Sequence, residues 1–89
     1  MSAASDRSAA ALRYDGSSDA PTLVAQGKGY VADKILAAAR EARIPIREDR
    51  LLAEALAALD IGTQVPEELY QAVAEALVWA YRLSGKRPR

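Results

Sequence analysis

Apolar positions along the chain fall into short blocks with two different periods. Ala9–Tyr14 (AAALRY) is too short to settle its own state. Its alanines favour helix by propensity, but it stops at Asp15-Gly16-Ser17-Ser18-Asp19, a cluster of turn formers. Thr22-Leu23-Val24-Ala25 is a short apolar run with β-branched residues, bounded by Pro21 and Gly27, and predicts a strand. Two short runs across a turn-rich loop predict a hairpin, which draws Ala9–Tyr14 towards strand as well. From Tyr30 to Arg43 the pattern turns helical, with Val31, Ile35, Ala38 and Ala42 on one face and Arg40 and Arg43 in the last turn, where they complement the helix dipole. Ile44-Pro45-Ile46 breaks that helix, because a residue before proline avoids the α region. Its β-branched residues predict a third strand, with Pro45 at the strand start or on an unpaired edge.

Asp49 is suited to cap a second helix, Arg50–Leu59, with Leu52, Leu56 and Leu59 inward. Asp60-Ile61-Gly62-Thr63 ends it. Pro66 fits the first position of a third helix, and Glu67 and Glu68 put negative charge in its first turn. That helix runs to about Leu83 with Leu69, Val73, Ala76, Leu77 and Ala80 on one side, and Ser84-Gly85 closes it. The expected fold is α/β: a small mixed sheet of three strands in β-β-α-β-α-α order, packed with three to four helices. The strand–helix–strand stretch over 22–47 calls for a parallel pair with a right-handed crossover. One domain over 9–84 is expected, between a disordered tail (1–8) and a basic tail (85–89).

Composition narrows the chemistry. Hydrophobic residues make up 51% of the chain, but many are alanine, and there is no Phe and one Trp, so the core should be thin. Twelve basic residues balance twelve acidic ones, which argues against a nucleic-acid or anionic-membrane binder. Only Lys86, Arg87 and Arg89 cluster, as a solvated tail does. Without Cys or His there is no thiolate, no disulfide, no zinc set and no imidazole base. No apolar run approaches the ~18 residues of a membrane span, and the first residues lack a signal-peptide core. A cytoplasmic, monomeric protein without cofactors is expected.

Three features invite a chemical reading. Gly27-Lys28-Gly29 follows a strand and opens a helix, the chain order of a phosphate-binding loop. It lacks the hydroxyl residue and the remaining glycines of the known motifs, with Tyr30, Val31 and Ala32 in their place. A tight turn using glycine's freedom in φ is the plainer reading; a small phosphate or nucleotide binder is the alternative. Glu67 and Glu68 resemble a carboxylate pair, but neighbours on a helix point about 100° apart, so they read as dipole complements and no enzyme is expected. Tyr70, Leu77 and Tyr81 share a stripe on the last helix while Trp79 points elsewhere; an exposed Trp79 would be a binding candidate.

The order of motifs adds a resemblance. ALRYD (11–15), AP-x-x-VAQG (20–27), A-x-x-I (32–35), IPI (44–46), LAEAL (52–56) and IG-x-x-VPEELYQAVAEALVWAYRL (61–83) resemble the cytoplasmic C-terminal domain of the FlhB/YscU (FlhB/HrpN/YscU/SpaS) family, the export-switch proteins of flagellar and type III secretion. Members of that family carry four transmembrane helices ahead of this domain. They cut themselves at Asn-Pro-Thr-His, where the Asn side-chain amide attacks its own carbonyl carbon. The corresponding place here is Ala4-Ser5-Asp6-Arg7, and the chain contains no Asn, so that reaction has no reagent.

The resemblance implies a non-enzymatic interaction or switch module at the inner-membrane export apparatus. Its implied partners are a full-length FlhB-type protein, the export gate, the hook-length ruler and export substrates. The family's apolar patch would fall on Ala20, Pro21, Ala74 and Leu77. The family strand that precedes the cut is not represented in this chain. Ala9–Tyr14 is therefore expected to offer an unpaired edge, on which the membrane-bound half of a full-length relative could dock.

Overall fold

The computed structural model describes residues 6–14, 16 and 20–83. Two strands, β1 (Ser8–Arg13) and β2 (Thr22–Lys28), form an antiparallel hairpin. Three helices follow: α1 (Tyr30–Glu41), α2 (Arg50–Ala57) and α3 (Tyr70–Leu83), with a 3₁₀ turn over Glu67–Leu69 leading into α3. The α/β class holds, and the last helix enters through that 3₁₀ turn rather than starting as α-helix at Pro66.

The hairpin has a change of phase at its centre. Ala11 pairs with Ala25 and Leu12 with Leu23, so Val24 is the extra residue of a bulge. Successive strand residues face opposite sides. The bulge therefore brings Leu23 onto the same face as Ala10, Leu12 and Gln26. On that face Leu23, Leu56, Val65 and Val73 form the buried core, with Ala10, Leu12, Leu52, Leu59, Leu69 and Leu77 packed against it. The Gln26 amide donates to the carbonyl of Leu59 at 3.0 Å and ties the end of α2 to β2. The other face, with buried Ala9 opposite Gly27, is covered by α1, whose Val31 lies against Gly27. The sheet is thus sandwiched between α1 and the pair α2 and α3.

The predicted third strand is corrected. Ile44-Pro45-Ile46 joins no ladder. Helix α1 ends in a paired-turn cap, with Arg43 N–H donating to Arg40 O and Ile44 N–H to Ala39 O, and Arg43 in the left-handed region at φ 60°. The chain leaves that cap into irregular structure, and Pro45 has no amide to contribute. The free side of β2 is taken instead by residues 62–65: Leu23 N–H donates to Thr63 O (2.9 Å), Gly62 N–H to Leu23 O (2.7 Å) and Val65 N–H to Pro21 O (3.0 Å). A single antiparallel bridge, Thr22 with Gln64, results. Among the described residues the sheet therefore has two strands, with no parallel pair and no crossover.

The helices also refine the pattern. Asp49 caps α2 as expected, its Oδ1 accepting from Leu52 N–H at 3.1 Å. In α1 the expected face is rotated. Ala32 is the buried residue and Ile35, Leu36 and Ala39 are half-buried, while Val31, Ala38 and Ala42 are exposed. Helices α1 and α2 each stop two residues short of the expected ends. Of the proposed tails, residues 1–5 and 84–89, with the Ser84-Gly85 stop, lie outside the described residues; β1 begins one residue early, at Ser8.

Two substitutions test this account. A Cβ at Gly27 would collide with the Val31 side chain. Gly27→Ala is expected to destabilise by about 1–3 kcal/mol, read as a lower urea midpoint, and adding Val31→Ala should recover only part of the loss, because it removes the nearest methyl but leaves the Val31 Cβ against the new side chain. Arg43 holds a conformation that disfavours any side chain. Arg43→Gly is expected to stabilise by about 0.5–1 kcal/mol, raising Tm by a few degrees in a thermal melt.

Candidate interaction surface

The Gly27-Lys28-Gly29 turn has a backbone explanation for both glycines. Gly27 leaves room for Val31, and Gly29 turns strand into helix at φ 58°, ψ −120°, a combination only glycine adopts freely. Its amide is already used, donating to Arg7 O at 2.8 Å. Asp33 supplies negative charge to the first turn of α1, with Arg7 3.9 Å away. A phosphate would find that place partly occupied by a carboxylate.

Beside this turn Arg7, Asp33, Leu36 and Arg40 line an open cleft of about 460 Å³. Its Arg7–Asp33 pair is largely solvated, so it contributes little. Among the described residues there is no buried polar or charged side chain, and no group of three metal-ligating side chains. No described helix is long and apolar enough to cross a membrane.

The four patch residues divide. Ala20 and Pro21 are buried, so their side chains pack inward rather than facing a partner. They are small residues at the root of β2, and the Pro21 carbonyl accepts from Val65 N–H. Leu77 is half-buried against the core that contains Val65. Ala74 is exposed. Val65 therefore links the loop to the helix, but only Ala74, with the flank of Leu77, is open. Trp79 and Tyr81 are half-buried, so Trp79 is not the exposed aromatic; Tyr70 and Val78 are the exposed large apolar residues nearest Ala74 along α3. Val65 was missed in the sequence, although a β-branched residue after Thr63-Gln64 and before Pro66 is a fair signal for a short extended segment.

The second surface is a backbone edge. Among the described residues β1 pairs only with β2. The Gly29–Arg7 bond makes those two residues a bonded pair, so by the alternation of an antiparallel ladder Ser8 and Ala10 direct their amides away from β2.

Similarity to known proteins fits this architecture. The FlhB HrpN YscU SpaS Family matches residues 6–80. YlqH of Bacillus subtilis is 47% identical over 78 residues, covering 86% of this chain and 84% of YlqH. The flagellar biosynthetic protein FlhB of Salmonella typhimurium is 42% identical over 86 residues, covering 88% of this chain, which spans only 22% of FlhB. In structure, the cytoplasmic domain of FlhB from Shewanella putrefaciens superposes with a TM-score of 0.80 at 36% identity, over 86% of this chain and 64% of that domain. A mutated EscU/SpaS C-terminal domain also reaches 0.80, at 28% identity, over 85% of this chain and 96% of that one. With the match running through both strands and nearly all of the last helix, the chain belongs to the FlhB HrpN YscU SpaS family of export proteins.

Proposed function

We propose that the chain is a non-enzymatic interaction module of a flagellar or type III protein export apparatus. It acts in the cytoplasm at the inner-membrane machinery. One observation carries this reading: most of the chain superposes on the cytoplasmic domain of FlhB and on the C-terminal domain of EscU/SpaS. The absence of any Asn leaves no residue for cleavage by the family's route. Its partners are a full-length FlhB-type protein, the export gate, the ruler and export substrates, and the exposed flank of Ala74 and Leu77 is the face offered to them.

The open edge of β1 is the means of docking on a full-length relative. An incoming strand would add to β1 through the outward amides of Ser8 and Ala10, replacing the relative's own C-terminal fragment. The test mixes this protein with a relative truncated at its cleavage Asn. A complex is expected at tens of micromolar, and its absence at that concentration would refute the docking. Ser8→Pro removes one outward amide at the strand start, where proline is tolerated, and should weaken the complex without lowering Tm. Separately, pull-down from a motile source strain should recover export-apparatus proteins, and Ala74→Glu should reduce that recovery.

A further inference from the structure

Helix α3 carries more apolar surface than the core uses. From Tyr70 to Leu83 only Gln71, Glu75 and Arg82 are polar. Val73 is buried, with Leu77 packed beside it. A second ridge, Tyr70, Ala74 and Val78, runs along the flank at i, i+4 and i+8, and all three residues are exposed. Scattered surface apolar residues are ordinary, but a continuous ridge marks a contact face.

Charge at the two ends of this ridge is opposite. Glu67 and Glu68 are exposed at its N-terminal end, and Arg82, the next i+4 step after Val78, is exposed at the other. Turned end for end, the helix is complementary to itself. Arg82 comes opposite Tyr70 and the acidic turn, and the small Ala74 comes opposite Val78. This is the self-complementarity that a two-fold interface requires, and interlocked i±4 ridges are the commonest way helices cross. A parallel arrangement would instead set acid against acid and arginine against arginine.

We propose that a second copy of this chain covers the ridge, in an antiparallel α3–α3 pair whose two-fold axis passes between Ala74 and Val78. The sequence alone suggests a monomer; this pairing makes the chain a reversible dimer at high concentration, because a single ridge gives a small interface. It also hides Ala74, so self-pairing and the proposed export contact exclude each other.

Sedimentation equilibrium of the purified protein from micromolar to millimolar concentration tests the pairing. The average mass should rise from the 9.5 kDa of one chain towards twice that value. Ala74→Glu, at an exposed position, should keep the circular dichroism spectrum and Tm but remain monomeric. Arg82→Glu should weaken association roughly tenfold, and Glu67→Arg combined with Arg82→Glu should restore it. A wild-type mass that stays at 9.5 kDa throughout overturns the proposal. So does association that Ala74→Glu leaves intact, or a charge reversal that its counterpart fails to rescue. No export protein enters the measurement, so its failure is separate from failure of the export role.

Discussion

Leu23 is the residue on which the rest of the structure converges. Its side chain is fully buried against Leu56, Val65 and Val73. Its amide and carbonyl both reach outside the hairpin, to Thr63 and Gly62. One residue therefore joins β2, α2, the 62–65 segment and the approach to α3. Burying a leucine contributes about 1.5–3 kcal/mol, a large share of the ~5–15 kcal/mol that holds an ordinary domain together. The bulge at Val24 makes this possible. Without it, Leu23 would share a face with Ala9 and Gly27 and point at α1, away from the other core residues.

How much was legible in the sequence follows from which signals were local. The hairpin was readable because its turn residues and short apolar runs sit side by side. The Asp49 cap was readable because the capping bond spans three residues. The face of α1 was not, because Ile35-Leu36-Ala37-Ala38-Ala39 is apolar at every position and supports more than one helical stripe. The close approach of Gly27 to Val31, invisible in a periodicity, fixes the rotation. The third strand failed for a related reason. Ile44-Pro45-Ile46 has the residue types of a strand, but the edge it would pair with is occupied by residues some forty positions away from β2 in the chain. The expected patch rested on a family pattern alone, and burial of Ala20 and Pro21 could not be inferred from small residues in a loop.

The described core contains no buried polar side chain. Its specificity therefore comes from backbone geometry and side-chain size: a bulge, two glycines in one turn, a left-handed cap and small residues where layers approach. Such a core restricts residue volume more than residue identity. A TM-score of 0.80 at 28% identity is what that kind of constraint permits.

The same thinness bears on how a protein of this kind works. A small domain buries a smaller fraction of its surface than a large one, so an apolar helix such as α3 cannot be covered on all sides by its own chain. The residual ridge is therefore not a defect of packing but a consequence of size, and it persists unless something else covers it. Among the described residues, the outer edge of β1 is the backbone counterpart of that ridge, with hydrogen-bonding groups rather than carbon facing outward. Each is already formed on a regular element, so contact there would need no prior ordering of the segment. In the export role proposed above, two such surfaces would let one small domain bring two partners together.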